Sequence, residues 1–254
     1  MLFHSPWFSL EPYAEIPLTE LLAPSAERFR DKPAFIMAEG RSHSFGEVWE
    51  ASRRLGRHLQ DTGIQKGDRV AIFSANCPEY FVAFYGTLFA GGVVTTLNPL
   101  YKEREVLHQL EDCEASAIFA MGPLQPLVHG VREHLPQLKH VFGMEDVWSL
   151  AAEAKGEPQR VSINPKEDLA ALPFSSGTTG LPKGVMLSHY NLVCNVRQTQ
   201  SVGMSSSSTI RAIRIRSEAG STEVMTRSRL SSRSRKSSGV NVVTGWPSSS
   251  VTET

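Results

Sequence analysis

The chain has 254 residues, 41% of them hydrophobic, enough to bury a sizeable core in one large domain or two smaller ones. Its 26 Lys and Arg balance 26 Asp and Glu, but unevenly: residues 204–254 hold eight Lys or Arg against three Glu. No apolar run approaches the ~18 residues of a membrane span, and Cys77, Cys113 and Cys194 match neither a metal site nor a disulfide framework. They read as reduced thiols, and with Pro6 and Pro12 standing where a leader would be apolar, a soluble cytoplasmic protein is expected.

Residues 1–24 are broken by prolines and carry Phe3, Trp7, Phe8 and Tyr13, which reads as an irregular arm followed by a short helix at 18–22. Residues 34–38 and 41–43, around Glu39-Gly40, read as strand, tight turn and strand. Ser44 and Glu47 form a capping box, and Phe45, Val48, Ser52, Leu55 and Leu59 recur at helical spacing to about Thr62, where Gly63 ends the helix. An apolar strand at 68–74, a helix at 78–90 stopped by Gly91-Gly92, a strand at 93–97, a helix at 102–112 with Val106, Leu107 and Leu110 inward, and a strand at 115–121 follow. A helix at 123–135 and a strand at 139–142 come next. Residues 145–166 turn polar and read as a surface connection, before 168–173 lead into a loop. Strands alternating with helices predict parallel strands joined by right-handed crossovers, the α/β doubly wound class.

The loop runs Ser175-Ser176-Gly177-Thr178-Thr179-Gly180-Leu181-Pro182-Lys183-Gly184, then Val185-Met186-Leu187-Ser188-His189. Glycines let backbone N–H groups approach an anion, hydroxyls donate further bonds, and lysine adds mobile positive charge, so the loop suits polyphosphate. It is not the P-loop of nucleoside triphosphatases, because Pro182 and Gly184 flank the lysine where Gly and Ser or Thr would stand.

This run resembles the phosphate-binding signature of the AMP-dependent synthetase and ligase family, the acyl-adenylate-forming enzymes that include acyl-CoA synthetases, 4-coumarate:CoA ligases and luciferases. The resemblance extends to Gly67 through Ile72, Asn76, Pro78-Glu79, Ala90-Gly91-Gly92, Leu97-Asn98-Pro99 and Leu110-Glu111-Asp112, which physically read as turns and helix starts. It implies the N-terminal part of that fold, over residues 1–203, and a two-step ligase: a carboxylic acid and ATP give acyl-AMP and pyrophosphate, and CoA then displaces AMP. It further implies that Ser175, Ser176, Gly177, Thr178, Thr179, Gly180 and Lys183 grip the ATP phosphates, with Mg²⁺ also required.

The lone histidines, His43, His58, His108, His129, His134 and His140, have no partner at ligand spacing and read as surface or satisfied core residues. His189 reads as ordering a strand end. No residue is assigned a catalytic or metal-binding role.

After Gln200 the chain departs from the family. Residues 204–254 are rich in serine and arginine with few spaced apolar side chains, so a disordered, unpaired tail is expected. The family segments holding Mg²⁺, the ribose and the catalytic lysine of a second domain find no counterpart; Gly220-Ser221-Thr222-Glu223 imitates one of them but with Ala219 in place of an aromatic. A reading frame lost near Gly203 explains the abrupt break, giving a fragment expected to be inactive alone. The other reading is a noncatalytic Arg/Ser-rich extension that binds RNA or another polyanion. The first is favoured by the mixed Ser, Thr and Val of the tail, so nucleic acid is not the expected partner.

Overall fold

Apolar strands separated by amphipathic helices must be covered on both faces, and the chain builds that arrangement. The structure is a computed structural model and describes residues 11–175, 182–203, 213–218 and 221–225. In chain order it forms α1 (Leu18–Arg28), β1 (Pro33–Ile36), β2 (Ser42–Ser44), α2 (Phe45–Asp61), β3 (Arg69–Phe73), α3 (Pro78–Phe89), β4 (Val93–Leu97) and α4 (Glu103–Asp112). Then come β5 (Ala115–Ala120), α5 (Gln125–Val131), β6 (His140–Gly143), α6 (Val147–Glu153), β7 (Leu169–Ala171), β8 (Phe174–Ser175), β9 (Lys183–Gly184), β10 (Leu187–Ser188), α7 (His189–Gly203), β11 (Ile213–Glu218) and β12 (Ser221–Met225).

The main sheet has the order β10-β7-β4-β3-β5-β6. β3 lies parallel to β4 and β5, β7 parallel to β4, and β6 parallel to β5, while β10 pairs antiparallel with β7. β3 shows why the sheet is covered twice. Val70 and Ile72 pack with Leu55, Leu59 and Val82 on one face, whereas Ala71 and Phe73 pack with Val106, Leu110 and Val128 on the other. Alternate residues of one central strand thus serve two cores.

The capping box forms as expected: the Glu47 N–H donates to Ser44 Oγ at 3.1 Å and the Ser44 N–H to Glu47 Oε2 at 2.7 Å. Gly63 and Gly91 adopt φ of +95° and +84°, the left-handed conformation that stops α2 and α3. Those helices meet through glycines. A Cβ on Gly56 would stand 2.5 Å from Phe89 Cβ and 3.0 Å from the Gly86 carbonyl, and one on Gly86 would stand 2.8 Å from the Leu55 side chain.

Four expectations change. The helix of the arm runs on through Pro24 to Arg28, held by burial of Leu18 and Ala26 on either side of the missing hydrogen bond. Within 145–166, expected as a polar surface connection, Val147, Leu150 and Ala151 share a helical face and form α6, with Val147 and Ala151 buried. In α4 it is Gln109, at 1% exposure, that lies inward with Val106 and Leu110, while Leu107 is only half-buried. Finally, β11 and β12 fall in the segment expected to be unpaired. β11 lies parallel to β1, with Phe35 opposite Ile213, and β12 antiparallel to β11, giving a second sheet in the order β12-β11-β1-β2. The sequence Ile213-Arg214-Ile215-Arg216 alternates at the strand period, a signal outweighed by the serine-rich surroundings. Residues 204–212, 219–220 and 226–254 lie outside the described residues.

Candidate phosphate-binding site

β7 delivers the chain to the carboxyl edge of the parallel strands, the side on which open α/β sheets bind ligands. Beyond Ala171, the Leu172 N–H donates to the Val94 carbonyl at 2.7 Å, and the Leu172 carbonyl accepts from Thr95 Oγ1 at 2.9 Å. Pro173 then turns out of the sheet. β8 and β9 pair antiparallel, with Phe174 opposite Gly184 and Ser175 opposite Lys183, and the Val185 N–H donates to the Pro173 carbonyl at 2.8 Å. A side chain at position 184 would crowd Leu172 and Phe174 at 3.2–3.3 Å, so glycine lets the returning strand lie close.

The result is a hairpin neck. Of the seven residues expected to grip phosphate, Ser175 and Lys183 stand opposite each other and exposed, with Ser175 Oγ donating to the Lys183 carbonyl at 3.4 Å. Ser176, Gly177, Thr178, Thr179 and Gly180 lie outside the described residues. The neck presents a lysine cation and a hydroxyl on one edge, a pairing that suits an anion with several oxygens.

Two neighbours in α4 were not assigned to the site from sequence. His108 Nε2 donates to the Pro182 carbonyl at 3.3 Å, which requires the Nε2–H form of the ring. Gln109 Nε2 donates to Thr95 Oγ1 at 2.9 Å and to the Thr96 carbonyl at 3.1 Å, while its Oε1 is buried without a partner among the described residues. No local pattern marks either residue, because their partners arrive from distant strands. Other histidines take the ordinary roles expected of them: His43 stacks on Trp148 at 4.4 Å and His140 on Phe142 at 5.7 Å.

His189 does more than order a strand end. Its N–H donates to the Asp168 carbonyl at 3.2 Å, and its buried Nδ1 accepts the Leu18 N–H at 3.1 Å, satisfying an unpaired donor at the start of α1. Burial pushes the imidazole down to about 4, opposed by the Asp168 carboxylate and reinforced by Lys66. The folded value lies below the unfolded one, so the contribution is complete above pH ~6.5 and is lost as pH falls toward 4. Denaturant unfolding at pH 7.5 and 4.5 should show a loss on the order of 2–3 kcal/mol from this group, and His189→Asn, which keeps an acceptor without titrating, should flatten that slope. An equal slope in the variant would contradict the assignment.

Burial pushes the thiols of Cys77 and Cys113 up to about 11, so neither is a thiolate nucleophile at neutral pH. Among the described residues no three His, Cys, Asp or Glu side chains gather into a group that could hold a metal ion. Nor is any described helix long and apolar enough to cross a membrane.

Residues 22–212 match the AMP-binding enzyme family, and the chain belongs to that family. A long-chain-fatty-acid–CoA ligase of Bacillus subtilis is 34% identical over 235 residues, covering 77% of this chain and 42% of that protein. The 4-coumarate–CoA ligase 1 of Petroselinum crispum is 34% identical over 192 residues, covering 72% and 35%. The crystal structure of a long-chain-fatty-acid–CoA ligase from Archaeoglobus fulgidus superimposes with a TM-score of 0.71 at 29% identity, over 79% of this chain and 42% of that one. The chain therefore spans 42% or less of the length of these relatives.

Proposed function

We propose that the chain carries the phosphate-gripping part of an ATP-dependent acid:CoA ligase, one that joins a carboxylic acid to ATP with release of pyrophosphate and then transfers the acyl group to CoA. The observation that carries this reading is the β8–β9 neck, which sets Ser175 opposite Lys183 at the carboxyl edge of the sheet in a chain of the AMP-binding family. In the first chemical step the attacking carboxylate and the leaving pyrophosphate both bear negative charge. A protein lowers that barrier chiefly by alignment and by fixed positive groups near the phosphates. Lys183 would follow the pyrophosphate, Ser175 would turn its hydroxyl hydrogen from the Lys183 carbonyl to a phosphate oxygen, and Ser176, Gly177, Thr178, Thr179 and Gly180 would enclose the β- and γ-phosphates. ATP supplies the activating group and CoA the accepting thiol; Mg²⁺ would neutralise phosphate charge. A soluble, cytoplasmic setting agrees with ATP and CoA as substrates.

The test is a titration of the 254-residue chain with ATP and with pyrophosphate, followed by backbone amide NMR. Signals of residues 175–183 should move, and Lys183→Ala should weaken binding about tenfold or more with an unchanged melting temperature, since an exposed lysine adds little to folding. Undisturbed signals, or undiminished binding by the variant, would remove the hairpin from the site.

A further inference from the structure

We infer that α4 is the positioning element of the hairpin, with His108 and Gln109 setting where Ser175 and Lys183 stand. This rests on the reading of the hairpin as the phosphate grip. Consecutive residues of one helix reach the two strands of the neck separately. His108 holds the returning strand through the Pro182 carbonyl, one residue before Lys183. Gln109 holds the outgoing strand through Thr95 Oγ1, which in turn donates to the Leu172 carbonyl, three residues before Ser175. Both links come from side chains outside the neck, whereas its other bonds are made by backbone groups of its own two strands or of β4 and by the Ser175 hydroxyl within it.

The buried amide of Gln109 argues that direction is what this position supplies. An apolar side chain of similar volume would fill the same space beside Val106 and Leu110 without leaving a carbonyl oxygen unpaired. The amide instead fixes the Thr95 hydroxyl: by donating to Thr95 Oγ1 it leaves that hydroxyl's own hydrogen to point at Leu172. A helix that shares its core with Leu172 and Phe174 is thereby tied to both sides of an exposed ribbon. Neither residue touches the phosphates in this arrangement; each acts through the strand it holds.

Amide hydrogen exchange on the full chain without ligand tests the inference. His108→Ala and Gln109→Leu should each speed exchange of the Val185 amide about tenfold, while amides of residues 70–73 in β3 keep their protection. His108→Gln, whose amide N–H can reach Pro182, should restore the parent rate. Thr95→Val removes the same relay from its other end and gives a second reading should Gln109→Leu fold poorly. In the variants that fold, ATP should bind about three- to tenfold more weakly. Unchanged Val185 exchange, or loss of protection at Val185 and in β3 alike, would overturn the positioning role. Failure of the parent chain to bind ATP would count against the functional reading, while the exchange measurement would still decide the role of α4.

Discussion

ATP–pyrophosphate exchange by the 254-residue chain alone should be undetectable with any member of a panel of aromatic and fatty acids. Exchange requires the carboxylate, the α-phosphate and the leaving pyrophosphate to be held in line together. The proposed grip acts at only one end of that line, through Lys183, Ser175 and the residues between them. The chain spans 42% of the length of the Bacillus subtilis ligase. Loss of one preorganised electrostatic contact typically costs about 10²–10³ in rate, and several lost together multiply. Highly purified protein is needed, because a trace of a complete ligase would dominate the signal. Acid-dependent exchange that co-purifies with the chain and vanishes in Lys183→Ala would refute the expectation.

Leu55→Ala should cost about 4–5 kcal/mol, the upper end of the range for such truncations. The usual relief for a core cavity is collapse of the surrounding elements, and here it is blocked. Gly56 and Gly86 already bring α2 and α3 into contact, and Leu55, with no exposed surface, lies directly over Gly86. The helices cannot close further, so the void persists and its lining loses its neighbours. Urea unfolding should show the midpoint falling with little change in slope. A cost below about 2 kcal/mol would mean that the helices do move together.

What could be read in the sequence was local. The Ser44 and Glu47 capping box, β4 at its observed limits and the stops at Gly63 and Gly91 each depend on residues within one turn of one another. The loop from Ser175 to Lys183 was marked in the sequence by residue types at close spacing that suit an anion, whereas the pairing of its neck was not. His108 could not be assigned because its partner, Pro182, lies 74 residues away, and a lone histidine carries no sign of such a bond. Leu107 looked inward by hydrophobicity alone, but Thr95 and Thr96 offer β4 acceptors to α4, and a helix can present only one face to them. Strand β11 was hidden for a related reason: its alternation spans few residues, and what holds it is β1, from the other end of the chain.

The bond from Leu18 to His189 joins residues 171 apart. At roughly 5–20 residues per second, a ribosome needs on the order of 10–30 s to add the histidine after the leucine. Throughout that interval the βα units between them can pair with near neighbours and α1 can pack on α2 and α3, but the Leu18 N–H has not yet met its acceptor. The first turn of α1 is therefore completed later than the rest of that helix, and until then it is the end more open to chaperones and proteases.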